Sequence, residues 1–144
     1  QEIFAFTGIP TMADDSGLEV EALNGAPGVY SARFSGEDAT DLKNNLKLLR
    51  LLKNVPSDQR KSQFRCVAAF TGNEKEHIEE GVCSGEIIDD FRGSQGFGYD
   101  PLFYLADLRK TMAELSADEK NKISHRGKAF RKMAVYLEDV IKNH

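Results

Sequence analysis

"QFRCVAAF" (63–70) and "EEGVCSGEII" (79–88) decide how this chain folds. Both runs are short and rich in β-branched or aromatic residues, and each alternates apolar with polar side chains over part of its length. That is the period of a half-buried strand. Gly72-Asn73 stands between them as a turn signal, so the pair reads as a hairpin.

Outward on the N-terminal side, Leu18, Val20 and Ala22 alternate with Glu19 and Glu21, a further half-exposed strand closed by Asn24-Gly25. "APGVYSARFSG" (26–36) reads as an ordered loop with Pro27 and Gly28 at its turn. Asp38 is placed to cap a helix running to about Asn54, with Asp41 supporting its first turn. Leu42, Leu46 and Leu49 share one face of that helix, and Leu48 and Leu52 widen it.

On the C-terminal side, "FRGSQGFGYDPLFY" (91–104) is a glycine-rich loop entering an apolar run. Ser116 and Glu119 have capping-box spacing for a short helix. Phe130, Met133, Ala134, Leu137, Val140 and Ile141 then mark an amphipathic terminal helix whose stripe faces the core. Hairpin strands mixed with helices predict an α/β fold, a mixed twisted sheet flanked by helices, in one domain over 1–144.

Composition narrows the function. The 144 residues are 40% hydrophobic and 29% charged, as in a water-soluble globular domain. No segment approaches the ~20 apolar residues of a membrane span, and no basic-then-apolar leader is visible. Cys66 and Cys83 lack metal-type spacing; they read as reduced, buried thiols, with a cross-strand disulfide as the alternative.

The net charge of −4 hides an asymmetry. Lys120, Lys122, Arg126, Lys128, Arg131 and Lys132 fall within thirteen residues that contain no acid. Such an island suits a small anion, or is simply a solvated helix face. A broad nucleic-acid surface is not expected, because the rest of the chain is acidic.

Three segments hold chemistry-bearing residues. Asp14-Asp15-Ser16-Gly17 offers hard oxygen donors for Mg²⁺ or Mn²⁺ and a carboxylate that can take a proton from water. It reads equally as a polar turn. In "GSQGFGYDP" (93–101), Phe97 and Tyr99 could stack a base, or join the core. In "EKNKISHRG" (119–127), His125 and Arg126 precede the terminal helix, where backbone N–H groups favour an anion or an acceptor.

Together, "ADDSGLEVEALNGAPGVYSARFSG" (13–36), "GFGYDPLFY" (96–104) and "EKNKISHRGKAF" (119–130) resemble the inosine triphosphate pyrophosphatase family in order and spacing. The resemblance implies Mg²⁺-dependent hydrolysis of ITP, dITP and XTP to the monophosphate and pyrophosphate. It implies a cytoplasmic homodimer and a two-lobed fold with the nucleotide between the lobes. It carries the proton-accepting, metal-linked role to Asp15, with Asp14 a secondary metal candidate. Nucleotide contacts fall on Ser16, Phe97, Gly98, Tyr99, Asp100, Lys120, His125 and Arg126.

Extended geometry separates the two aspartates, since successive side chains of a strand point to opposite faces. The family's opening strand, its Thr-x-Asn-x-x-Lys phosphate segment and the following glutamate helix are expected to be missing, about fifty residues by comparison. An impaired fragment is the corresponding expectation. The alternatives are a non-catalytic nucleotide-binding or dimerisation module, and a pyrophosphatase for other modified nucleotides.

Overall fold

The computed structural model describes residues 9–72 and 76–142. Strands β1 (Thr11–Val20), β2 (Lys61–Thr71), β3 (Glu76–Ile87), β4 (Phe103–Leu105) and β5 (Lys110–Thr111) form one sheet in that order. Every ladder among the described residues is antiparallel. Each strand pairs with its neighbour in sequence, so loop closure costs little. The expected hairpin is β2–β3, in which Phe64 faces Cys83 and Cys66 faces Gly81. Gly72 ends the described part of its turn, and Asn73 lies outside the described residues.

β1 begins at Thr11, so the aspartate pair sits inside a strand and not at its start. Asp14, Ser16, Leu18 and Val20 share one face, and Leu18 and Val20 are fully buried. Asp15 and Glu19 share the other. The alternation stops before Ala22, because Glu21–Leu23 is a 3₁₀ turn. Asn24 at φ 53° and Gly25 at φ 88° then reverse the chain.

Helix α1 (Asp41–Leu52) is shorter than the spacing predicts. Thr40 caps it, accepting from the Lys43 N–H at 3.1 Å, and Asp38 contributes only its carbonyl, to Lys43 Nζ. Its buried residues are Asn44, Asn45, Leu48 and Leu52, whereas Leu42 and Leu46 are exposed. The inward arc is therefore rotated from the leucine stripe. Loop carbonyls and N–H groups lie on that side and need polar partners, and the two asparagines supply them.

Helices α2 (Ala117–Ile123) and α3 (His125–Lys142) follow. The capping box forms as expected: Glu119 N donates to Ser116 Oγ at 3.2 Å, and Ser116 N donates to the Glu119 carboxylate at 2.8 Å. α3 crosses β2 and β3 where the sheet is made of small residues. Cys66, Ala68, Ala129 and Met133 form a compact cluster there. A side chain on Gly81 would collide with the His125 carbonyl and the Ala129 N–H, so glycine permits this close approach. The apolar stripe of α3 buries fewer residues than predicted. Met133 is buried and Leu137 half-buried, but Ala134 and Ile141 are exposed.

Part of the basic island lines a cavity beside the sheet, and part of it is tied to neighbouring backbone. Lys128 Nζ donates to the Val82 carbonyl and Lys132 Nζ to that of Glu80, both on β3. Arg131 donates to the carbonyls of Asn121 and Lys122 on α2. These side chains clip α3 to its neighbours and hold its start over the sheet. Among the described residues, no helix is long and apolar enough to cross a membrane.

Candidate functional site

The start of α3, the β1 face carrying Asp14 and Ser16, and the loop between β3 and β4 enclose a cavity of about 820 Å³. That volume falls in the range of small-ligand sites. Nine of the ten residues singled out in the sequence line it: Asp14, Ser16, Phe97, Gly98, Tyr99, Asp100, Lys120, His125 and Arg126. Asp15 does not; alternation along β1 turns it to the other face. Segments more than a hundred residues apart thus meet, as the Arg126–Asp14 pair shows.

The loop wall is built on buried polar contacts. The Asp100 carboxylate is 5% exposed; it pairs with Lys120 Nζ at 2.5 Å and accepts from the Phe97 N–H at 3.1 Å. Burial pushes this carboxyl above its ordinary value, while Lys120 and the Phe97 N–H pull the other way. Gly96, at φ 79°, has to be glycine, because a side chain there would strike the Asp100 carboxylate. Tyr99 is buried, and its hydroxyl donates to the Ser31 carbonyl at 2.7 Å. Burial raises its pKa, with the Asp41 charge adding to the effect. Tyr99 is thus a structural anchor. Phe97 is 69% exposed at the rim, with Lys120 Nζ 4.7 Å from its ring centroid.

The opposite wall is looser. Arg126 Nε lies 3.0 Å from one Asp14 oxygen, and Nη2 lies 3.3 Å from the other. The Arg126 side chain is 54% exposed and that of Asp14 24%. His125 stacks on Phe64 at 4.9 Å between centroids, and its Nδ1 is buried with no partner among the described residues. Burial, then the charges of Lys120 and Arg126, lower its pKa from 6.5 to about 4 against the weaker pull of Asp14. At neutral pH it is a neutral imidazole, with one donor and one acceptor nitrogen.

Both cysteines are free and buried, as the reduced-thiol reading expects. The β2–β3 register sets each opposite another residue and not opposite its fellow. Burial pushes both thiols up, which keeps them protonated and unreactive.

Among the described residues, no three His, Cys, Asp or Glu side chains converge as a metal cluster. Asp14 is spent on Arg126, and no ion pair is made to Asp15 among the described residues. Mg²⁺ commonly takes one or two carboxylates and completes its shell with water and substrate phosphates. Two neighbouring carboxylates, of which only Asp14 is engaged by an arginine, are a donor set compatible with such a cation.

Several residues of the site escape sequence reasoning. Asn44 Oδ1 accepts from the Ser35 N–H at 2.8 Å, and its Nδ2 donates to the Ser31 and Ala32 carbonyls. Asn45 Nδ2 donates to the Gly98 carbonyl at 2.8 Å, and Asp41 accepts from the Gly98 N–H at 2.8 Å. The available signal was two asparagines at helical spacing from Leu48 and Leu52, polar residues on what proves to be the buried arc.

With this geometry in place, comparison with known proteins is informative. The family model described as the Ham1 family matches residues 1–136. A dITP/XTP pyrophosphatase of Desulforamulus reducens is 57% identical over 128 residues, which cover 88% of this chain and 64% of that protein. One from Clostridium perfringens is 53% identical over 132 residues, covering 91% of this chain and 65% of its own length. The Staphylococcus aureus Ham1 protein superposes with a TM-score of 0.90 at 46% identity, covering 94% of this chain and 70% of that one. The chain thus spans somewhat less than two thirds of the length of these two curated relatives.

Proposed function

The chain belongs to the Ham1 family, and from that premise we propose that the protein hydrolyses non-standard purine nucleoside triphosphates to the monophosphate and pyrophosphate. ITP, dITP and XTP are the substrates. The reading is supported by the dITP/XTP pyrophosphatase names of relatives at 57% and 53% identity. The observation that carries it is one cavity faced by an exposed aromatic ring, Phe97, and by the neutral His125 beside Arg126.

A purine stacked on Phe97 presents its edge to the cavity. Arg126 spends Nε and Nη2 on Asp14, which leaves Nη1 to donate. A neutral His125 donates through one ring nitrogen. Both suit the 6-keto oxygen of hypoxanthine and xanthine. Adenine carries an amino group at that position, so donor faces donor and a buried group is left unpaired. With His125 Nδ1 buried and Arg126 partly exposed, rejection of the mismatched analogue by at least about 10²-fold is expected.

The reaction adds water across the α–β phosphoanhydride: one P–O bond forms to water oxygen, the anhydride P–O bond breaks, and pyrophosphate leaves. Asp15, on the β1 face turned away from the base cavity, accepts the proton of the attacking water, so in this reading the phosphates reach over β1 to that face. Mg²⁺, with Mn²⁺ as a substitute, supplies phosphate charge neutralisation when bound. Within the cavity, Lys120 and Arg126 are each matched by a carboxylate. Arg131, which also lines the cavity, is bonded to carbonyls and keeps one unmatched charge; one cation is too little for a triphosphate, which supports the requirement for a divalent ion. The protein acts as a cytoplasmic homodimer in this reading.

Phosphorus NMR of the products from ITP and Mg²⁺ tests the reaction class. Pyrophosphate with inosine monophosphate is expected. Release of inorganic phosphate with the diphosphate, and no pyrophosphate, would overturn it.

A further inference from the structure

The loop bearing Phe97 stands between two hollows. Gln95, Gly96, Phe97 and Gly98 line the large cavity on one side and a smaller hollow of about 230 Å³ on the other. A segment with open space on both sides cannot be fixed by apolar packing. Its position depends on directed polar contacts.

The Phe97 N–H donates to the Asp100 carboxylate and the Gln95 N–H to the Ala113 carbonyl; the contacts on Gly98 come from one helix. At the first turn of α1, the Asp41 carboxylate accepts the Gly98 N–H at 2.8 Å. One turn later, the Asn45 amide donates to the Gly98 carbonyl at 2.8 Å. Both polar groups of a single peptide-bearing residue are thus gripped by side chains four apart, which face the same way on a helix. Gly98 sits at φ 61°, a conformation that glycine adopts at little cost. Asn45 is 2% exposed, and its orientation is settled by two carbonyl acceptors, Gly98 and Asp41.

We infer that Asp41 and Asn45 are positioning residues that set the substrate-stacking face of Phe97 by clamping the Gly98 backbone. The inference rests on the nucleotide reading for its substrate and on the contacts above for its geometry. A clamp of this kind acts on binding. It fixes the ring before the base arrives, so its loss raises KM while the hydrolytic step keeps its groups.

Two conservative variants separate the clamp from a generic helix role. Asp41→Asn keeps the acceptor oxygen at the same reach but loses the charge. Asp41→Glu keeps the charge at the helix start, where it favours the helix dipole, but overshoots the Gly98 N–H. Both retain a residue compatible with the first turn, so the fold persists. Amide hydrogen exchange over 95–99 and ITP kinetics are measured on the protein expressed from its full reading frame.

The clamp predicts near-normal exchange and KM for Asp41→Asn. For Asp41→Glu it predicts faster exchange and a KM raised about tenfold, with kcat within about threefold. The reverse order, or no change in either variant, overturns the inference. Exchange requires no substrate. A wild-type protein that turns over none of ITP, dITP and XTP would therefore refute the nucleotide reading, while exchange still decides the clamp.

Discussion

The two walls of the cavity are held by different physics. In the loop wall, Asp100, Lys120, Tyr99 and Asn45 are buried or nearly so, and each makes directed contacts at 2.5–2.8 Å. In the strand wall, Asp14 and Arg126 meet in the open, and Asp15 points away from the cavity altogether. A buried ion pair is fixed because breaking it strands a charge away from water, whereas an exposed pair exchanges for solvent at little cost. The loop wall is thus preorganised for a flat ring. The strand wall can rearrange its charges when an anion and a cation arrive.

The sharpest way to break this contrast is chemical. Asp15→Asn removes the one carboxylate of the pair that is not committed to an arginine. Turnover of ITP is expected to fall by about 10³-fold, with the unfolding midpoint nearly unchanged. Retained turnover would move the proton-accepting role to Asp14.

Next in size is the buried pair. Lys120→Met leaves Asp100 without its cation, at an expected cost of about 3–5 kcal/mol in denaturant unfolding. Converting Asp100 to Asn in the same protein should recover most of that loss. Arg126→Gln, the matching change in the exposed wall, should cost under about 1 kcal/mol of stability and still weaken ITP binding. Equal costs for the two single variants would erase the distinction between the walls.

A further test lies in the pH dependence. Folded His125 titrates near 4, against 6.5 for the free side chain. Between these values the unfolded chain binds the extra proton, so stability rises with pH through the window and is lost as pH falls from about 6.5 towards about 4. His125→Gln should flatten that slope relative to wild type in chemical-denaturation curves collected from pH 4 to 7.

Much of this fold is legible in the sequence where period and punctuation agree. The 63–70 and 79–88 runs form the β2–β3 hairpin, and Ser116 and Glu119 form their capping box. Local signals failed where tertiary demand overrode them. Thr40 displaced Asp38 as the α1 cap, and α1 turned Asn44 and Asn45 inward while leaving Leu42 exposed. Loop peptides needing hydrogen bonds, and not apolar area, set that rotation.

Nine of the ten positions assigned from the sequence line one cavity, and the tenth, Asp15, lies on the other face of β1. The support of that cavity was not legible. Asp41 looked like a helix-start charge, and nothing in its local spacing pointed to Gly98, 57 residues away. Lys128, Arg131 and Lys132 belonged to a basic run that read as an anion island or a solvated helix face, and they donate to carbonyls of neighbouring elements. Charge runs report composition; only the packed arrangement assigns their partners.

The most direct measurement is the ratio of kcat/KM for ITP to that for ATP, taken with Mg²⁺ on the protein expressed from its full reading frame. A cavity that sets Phe97 under the purine and donors from His125 and Arg126 at its 6-position predicts a preference for ITP of at least about 10²-fold. Comparable values for the two nucleotides would contradict it.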